Sequence, residues 1–123
     1  MYDQYAVTTD EIQLLRKAQE VLIEFGWIQG AGGEEQGFCA LGAANKAARL
    51  LWGDDRWHHD QRHATTFHDA LAPVHELARK AGYKNIIAYN DNPNTTERKV
   101  RNIFRKAAEQ LAEDVETWRY EDD

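Results

Sequence analysis

Six of the eight glycines in this 123-residue chain fall between Gly26 and Gly42, between two segments with helical patterns. Glycine adopts backbone conformations that other residues avoid, so the stretch predicts a loop that interrupts the helices. The loop leads to Cys39, at the predicted start of the second helix. We expect it to let that helix turn back against the first one, with Cys39 filling a small space where the helix begins.

The segments on either side of this loop carry apolar residues at helical spacing. Thr8-x-x-Glu11 is typical of a capping box, which predicts a first helix that begins near Thr9 and ends at Gly26. A second helix is predicted from about 39 to 51. Because it is rich in alanine, which permits close helix–helix approach, we interpret it as the central and most buried helix.

Two further helices are predicted in the second half of the chain. The third covers about 66–81, and Pro73 should kink it or mark a restart. The fourth opens at Asn94-x-x-Glu97, a second capping box in which Asn94 or Thr95 is the cap, and extends towards Trp118. The pattern therefore predicts a mainly α fold with four helices.

The connections between these helices have their own signatures. Residues 27–29 are compatible with one short extended piece, and the polar, His-rich residues 54–66 predict a loop with at most a turn of helix. The apolar run 86–89 predicts either an extended segment or a final buried turn. Residues 90–94 are rich in Asn and Asp and predict a turn.

Length and composition favour one domain over residues 1–123, with an ordered core at about 8–112 and an acidic C-terminal tail. A single cysteine excludes an internal disulfide framework and fits a reducing compartment. No apolar run reaches the length of a membrane span, and residues 1–5 lack the features of a signal peptide. We therefore expect a cytoplasmic protein.

The charge of the chain is segregated. The net charge is −6, which argues against a protein that simply coats nucleic acid. Residues 79–106 hold eight basic and two acidic residues, whereas residues 109–123 hold seven acidic and one basic residue. These two blocks could pair with each other, could each meet a partner, or could form an ordinary solvated surface.

Two segments carry a family resemblance. One is Gly26-Trp27-Ile28-Gln29-Gly30 followed by Cys39-Ala40-Leu41-Gly42-Ala43-Ala44, and the other is Tyr89-Asn90-Asp91-Asn92-Pro93-Asn94-Thr95-Thr96. With the first helix, they resemble a family of small actinobacterial and actinobacteriophage proteins classed as a domain of unknown function. The resemblance covers about 12–111 and departs at Tyr89, where that pattern has Trp. It implies a bacterial or phage origin, with the host cytoplasm as location for a phage protein, and no known reaction.

Cys39 is the first candidate for chemistry. A cysteine at a helix N-terminus faces the positive end of the helix dipole, which favours the reactive thiolate. Papain-like enzymes combine such a cysteine with an upstream Gln and with downstream His and Asn or Asp. The catalytic candidates are therefore Cys39, Gln29, Asn90 and Asp91. The spacing matches no cysteine-protease signature, and cysteine also packs well beside alanine, so a core role is the preferred interpretation.

Two other sites are candidates for ligands. His59 and His63 would share a helix face at a spacing used by metal-binding pairs, although exposed histidines are also common on ordinary surfaces. The basic face of the fourth helix is the nucleic-acid candidate, with Arg98, Arg101 and Arg105. Glu97 lies four residues before Arg101, which is equally typical of a surface ion pair.

The favoured function is a non-enzymatic accessory or host-interaction protein that binds a protein partner and uses no cofactor. Trp27, Trp52 and Trp57 lie in or beside loops, and tryptophan is a typical anchor of protein interfaces. A small thiol-dependent enzyme centred on Cys39 and a nucleic-acid-binding protein stay as alternatives. No oligomeric state follows from the sequence.

Overall fold

A computed structural model of the protein describes residues 9–30, 35–53 and 55–121. Side chains are described up to residue 115, with the exception of Asp55. The mainly α fold is confirmed. The helices are α1 (Asp10–Phe25), α2 (Ala40–Trp52), α3 (Gln61–Lys80), α4 (Ile86–Asp91) and α5 (Glu97–Glu121), and a short 3-10 helix covers Asp55–His59. No described helix is both long and apolar enough to cross a membrane.

Helix α1 begins and ends on local hydrogen bonds. The Thr9 hydroxyl accepts from the Ile12 amide at 3.2 Å, so Thr9 is the N-cap, while Thr8 lies outside the described residues. The Gly26 amide donates to the Leu22 carbonyl at 3.0 Å, and Gly26 has a φ of +92°. The predicted stop at Gly26 is confirmed, because glycine tolerates this backbone conformation where a larger residue is strained.

The most central helix is α1, and the prediction that α2 is central was wrong. Helix α1 packs against α2, α3 and α5, whereas α2 packs against α1, α4 and the 3-10 helix. Large side chains fill the centre, and the fully buried ones on α1 are Ile12, Leu14, Leu15, Val21 and Leu22. The alanines of α2 allow close approach to its neighbours, but they have too little volume to fill the middle of a core.

The His-rich connection is more helical than predicted. The Asp60 carboxylate accepts from the amides of Arg62 and His63 at 2.9 and 3.1 Å, so α3 begins at Gln61 instead of about 66. The hydrogen bond from the His63 amide is the main reason that the pKa of Asp60 is lowered. Helix α3 also continues through Pro73 without a restart. Pro73 has no backbone N–H to donate to the carbonyl of Asp69, four residues earlier. Asp69 lies on the exposed side of the helix.

The segment between α3 and α5 contains a helix and then a turn. The Asn85 side chain accepts from the Ala88 amide at 2.9 Å and caps α4, so the apolar run at 86–89 is helical and not extended. Helix α5 is capped by the Thr96 hydroxyl, which accepts from the Lys99 amide at 3.3 Å. The predicted cap at Asn94 or Thr95 was therefore wrong. Asn94 belongs to the preceding turn, where its amide donates to the Asn92 side chain at 2.9 Å.

Helices α1 and α2 are joined by a loop that closes on itself at its base. Trp27 and Phe38 form an isolated parallel β-bridge, the one pairing of this kind among the described residues. The Ile28 amide donates to the Phe38 carbonyl at 3.1 Å, and the Phe38 amide donates to the Gly26 carbonyl at 2.9 Å. This bridge fixes the start of α2 next to the end of α1.

Candidate functional site

At the base of the glycine-rich loop, two backbone segments come into direct contact at Gly37. Its φ is +106°, and a Cβ added there would lie 2.9 Å from both the carbonyl carbon and the oxygen of Gly26. No other residue type fits this approach without displacing the backbone. Gly37 therefore permits the bridge that positions Phe38 and, one residue later, Cys39.

Cys39 is the N-cap of α2, and its side chain is half-buried. Its Sγ accepts from the Gly42 amide at 3.3 Å, in the position that a serine or threonine hydroxyl commonly takes at a helix start. The prediction that Cys39 lies where the second helix begins is confirmed. The thiol is not sealed in the core, because it lines a pocket that is open to solvent.

Asn90, near the end of α4, connects three segments of the chain and is only 1% exposed. Its Oδ1 accepts from Trp27 Nε1 at 2.6 Å and from the Ala40 amide at 2.9 Å. Its Nδ2 donates to the Ile28 carbonyl at 3.2 Å. Such a buried amide is stable only when it is hydrogen-bonded, and the fold provides partners at both ends of this one.

The residues that flank Asn90 extend this network to the surface. Gln29 Nε2 donates to the backbone carbonyls of Asn90, at 3.1 Å, and of Asn92. The Gly30 amide donates to the Asp91 carboxylate at 2.8 Å. Hydrogen bonds between side chains and backbone thus join the two segments that carry the family resemblance, although about 60 residues separate them in the chain.

A pocket of about 290 Å³ lies where these elements meet. Its walls are mainly apolar and include Cys39, Leu41 and Ile87, with Asn90 and Asp91 at the polar side. Three of the four catalytic candidates therefore share one pocket, and the fourth, Gln29, supports it through the Asn90 backbone. Whether they are catalytic stays a prediction.

Ile87 and Leu41 were not predicted as site residues. Ile87 lines the pocket and is 47% exposed, which is unusual for a large apolar side chain on a short helix. Its position three residues before Asn90, inside an apolar run, was the available signal. A short helix that ends in the Asn-Asp motif necessarily places such a residue beside that motif.

None of the five histidines, all in the described part of the chain, lines this pocket. The ring of His63 stacks on Trp52, with centroids 4.5 Å apart and planes 7° from parallel. His59 belongs to the 3-10 helix and lies against His58, with ring centroids 4.2 Å apart. Across the described residues, no three side chains of His, Cys, Asp or Glu are grouped as a metal site requires. The metal role of His59 and His63 stays a prediction.

The other histidine contacts point to structural use. His75 accepts from the Ile86 amide at the start of α4 at 3.2 Å. Burial is the main cause of a lowered pKa for His75, with Arg79 and His68 contributing in the same direction. Burial also raises the pKa of Tyr89, whose ring meets Tyr83 edge-on at 5.1 Å.

The three tryptophans that were predicted as interface anchors are engaged within the protein. Trp27 donates its indole N–H to Asn90. Trp52 and Trp57 lie against each other with centroids 5.6 Å apart, and Trp57, 9% exposed, also contacts the Phe67 ring at 4.6 Å. Through these contacts Trp57 packs the 3-10 helix against the end of α2 and against α3. A role at an interface stays a prediction.

The basic face of α5 is partly neutralised by its own helix. Arg105 contacts Glu109 through both carboxylate oxygens at 3.0 and 3.2 Å. Arg101 Nε lies 3.2 Å from Glu97 Oε2, an ion-pair distance, but the alignment is not that of a hydrogen bond. Arg98 is exposed. Two of the three guanidinium groups proposed for nucleic-acid contact thus have carboxylate partners one helical turn away.

Comparison with known proteins gives one match. The model of a family described as "Family of unknown function (DUF6197)" matches residues 6–110. No curated protein and no solved structure matches the chain. The matched residues include both segments that form the pocket.

Proposed function

We propose that this chain, which belongs to the family of unknown function DUF6197, is a binding protein that takes an apolar side chain of a protein partner into the pocket beside Cys39. The observation that carries this proposal is the mainly apolar pocket of about 290 Å³, built where the two motif segments meet. Pockets that accept one anchoring side chain are typical centres of protein interfaces.

The walls of the pocket favour an apolar occupant. Both polar ends of the Asn90 side chain are engaged by Trp27, Ala40 and Ile28. The Asp91 carboxylate accepts from the Gly30 amide and from the Asn90 side chain. Because both ends of the Asn90 amide are satisfied within the protein, an apolar group can cover this side chain and leave none of its hydrogen bonds unmade, whereas the exposed Asp91 carboxylate is bonded only through Oδ1 and has to stay at the solvated edge of the pocket.

The size and the rim of the pocket favour a side chain over a larger ligand. Drug-sized ligands occupy pockets of roughly 300–1,000 Å³, and this pocket lies at the lower limit of that range. Ile87 lines it and is still 47% exposed, so part of this side chain is free to contact a surface outside the pocket. The hydrogen-bonded frame is formed before binding, which lowers the entropic cost of association. The resemblance to actinobacterial and phage proteins supports a bacterial partner.

The test is the selection of displayed random peptides on the wild-type protein. We expect the selected peptides to share an aliphatic or aromatic anchor. The variant Ile87→Asp should weaken their binding at least about tenfold, because losing a central apolar contact costs more than about 1.4 kcal/mol. The matched control is Ile23→Asp, which changes an isoleucine of α1 that is 63% exposed and does not line the pocket.

Two results would refute the binding function. One is the absence of any enriched peptide. The other is a set of enriched peptides that bind Ile87→Asp as tightly as the wild type, because these peptides would then occupy a different surface. Protection of Cys39 from alkylation by the bound peptide gives a second readout in the same samples, since its thiol lines the pocket.

A thiol-dependent activity is the second candidate, and one observation favours it. Cys39, Asn90 and Asp91 line the same pocket, at the start of a helix. No histidine lines that pocket, so the described residues offer no imidazole base beside the thiol. Alkylation of the native protein by iodoacetamide near neutral pH separates the two candidates. An activated nucleophile reacts faster than free cysteine, whereas a thiol used only as a helix cap and pocket wall does not.

A further inference from the structure

The hydrogen bond between α3 and α4 fixes the protonation state of one histidine. The Ile86 amide donates to His75 Nδ1 at 3.2 Å. A backbone N–H can only donate, so Nδ1 must carry a lone pair and the ring proton must lie on Nε2. His75 is therefore neutral in this fold, and adding a proton to Nδ1 destroys the hydrogen bond.

The surroundings of His75 give a protonated ring no compensation. Burial, the Arg79 guanidinium and His68 all lower its pKa, and among the described residues these are the groups that shift it. Across the interface, the first turn of α4 holds no acidic residue, and Lys84 in the connection is exposed. A proton on Nδ1 would also point at the Ile86 N–H, so two donors would face each other.

Helix α4 connects His75 to the pocket over a short distance. It has six residues, Ile86–Asp91, and its last turn carries the buried Asn90. Its start is held by the Asn85 cap and by His75. A helix of this length has almost no internal stability, so its position depends on these contacts at its two ends.

We propose that protonation of His75 releases the start of α4 and loosens the Asn90 network, so that the pocket is fully assembled at neutral pH and less ordered in weak acid. Protonation of His75 thereby regulates the pocket. The biological use of this regulation rests on the proposed function, whereas the change in the free protein does not. Because the pKa of His75 is lower in the folded protein, its stabilising contribution is present above about pH 6.5 and is lost as the pH falls through the folded value.

The test uses NMR of the protein without any ligand, titrated from about pH 8 to about pH 5, the range in which histidines change charge. The Trp27 indole N–H signal reports the bond to Asn90, and the Ile86 amide reports the bond to His75. We expect both signals to shift with the midpoint of the His75 ring, below about pH 6.5. The variant His75→Asn should remove this shift, because its Oδ1 takes the place of Nδ1 and accepts a hydrogen bond at every pH. The control His68→Asn, on the exposed side of α3, should keep the shift but raise its midpoint, because His68 is one of the groups that lower the pKa of His75.

Two results would overturn the coupling. In the first, the His75 ring titrates in the wild type while the Trp27 indole signal stays fixed, a result that holds even if His75→Asn fails to fold. In the second, the Trp27 signal titrates equally in folded His75→Asn. Failure of the proposed function is distinguishable, because peptides can fail to bind while the Trp27 titration in the free protein is unchanged.

Discussion

The Asn90 side chain joins the loop after α1, the start of α2 and the end of α4. It contacts Trp27 and Ala40 through its oxygen and Ile28 through its nitrogen. A carboxamide accepts twice through its oxygen and donates twice through its nitrogen, as Asn90 does, whereas a neutral imidazole offers one acceptor and one donor and a carboxylate only accepts. The position therefore requires asparagine, both for its polarity and for its length.

The first prediction concerns this amide. Asn90→Ala leaves the Trp27 indole N–H and the Ala40 N–H without their acceptor in a buried site. Each unmade hydrogen bond costs about 1–3 kcal/mol, so we expect the free energy of unfolding in urea to fall by about 3–5 kcal/mol. The control Asn45→Ala removes an exposed contact to the Leu41 carbonyl and should cost less than about 0.5 kcal/mol. A loss below about 1 kcal/mol for Asn90→Ala would show that water replaces the missing amide.

Two glycines with the same φ of +106° allow backbone strain to be separated from steric contact. A Cβ on Gly37 would lie 2.9 Å from Gly26, whereas one on Gly53 would meet no atom within 4 Å. We expect Gly53→Ala to cost about 1–3 kcal/mol for the strained backbone alone, because its φ of +106° and ψ of −54° lie outside the regions that L residues favour. Gly37→Ala should cost at least about 1 kcal/mol more, because the loop base must also open. Equal losses in thermal unfolding would mean that the loop base adapts freely.

Much at this scale could be predicted from local sequence. Cys39 at a helix start and Gly26 as a helix stop follow from rules that act over four residues. The bonds of Asn90 could not be predicted, because they join residues 50 to 63 positions apart, and a single sequence carries no information on such pairs. Ile87 was missed for the same reason, since its exposure depends on what packs beside α4.

Helix ends separate the local predictions that succeeded from those that failed. Two chemically reasonable caps, Asn94 and Thr96, lie two residues apart before α5, and the hydrogen bond to the Lys99 amide selects Thr96. The deciding factor is the Asn92 side chain, which holds the turn by accepting from the Asn94 amide. Choosing between adjacent caps therefore requires the path of the chain before the helix.

A pair of alanine substitutions tests this assignment. Thr96→Ala should destabilise the protein by about 1 kcal/mol, the usual value for a lost N-cap. Asn94→Ala should change the free energy of unfolding by less than about 0.5 kcal/mol, because its exposed side chain caps no helix. The measurement is the urea midpoint of each variant at constant slope. The opposite order would place the cap at Asn94.

Tertiary packing explains the other differences between the predicted helices and those of the structure. Composition indicated a loop at the His-rich segment, but Trp57 and Phe67 pack there and the Asp60 carboxylate caps α3. Pro73 stays within a helix because the neighbours of α3 hold it in place. Local propensity is weak compared with packing of this kind, so it does not fix element boundaries.

At the scale of the whole molecule, one core connects all the long helices. Its buried residues come from α1, α2, α3 and α5, and Phe104 of α5 and Leu15 of α1 are among the largest that are completely buried. The helical spacing of apolar residues indicated the long helices that build this core. It could not show that α1 lies at the centre. Helix α1 packs against three long helices and α2 against one long and two short ones, and the apolar spacing of a helix does not reveal the size of its neighbours.

The prediction that residues 1–123 form a single domain leads to a test of cooperativity. Trp27 lies near the start of α2, and Trp52 and Trp57 lie near its end. If one core links them, tryptophan fluorescence and far-UV circular dichroism should give the same urea midpoint and slope. The double variant Trp27→Phe and Trp118→Phe keeps Trp52 and Trp57, so its fluorescence reports the other end of α2. This fluorescence should follow the same curve as the circular dichroism of that variant. Two separate transitions would contradict a single cooperative unit.

The long reach of Asn90 also determines when the pocket comes into existence during synthesis of the chain. When only α1 and α2 have left the ribosome, Asn90 has not yet been synthesised. The Trp27 indole and the Ala40 amide then lack their common acceptor, which lies 50 or more residues later in the chain. Closing a loop of that length is costly in entropy until helix packing brings the ends together. Nascent chains and proteolytic fragments that stop before residue 90 therefore contain Cys39 but not the site around it.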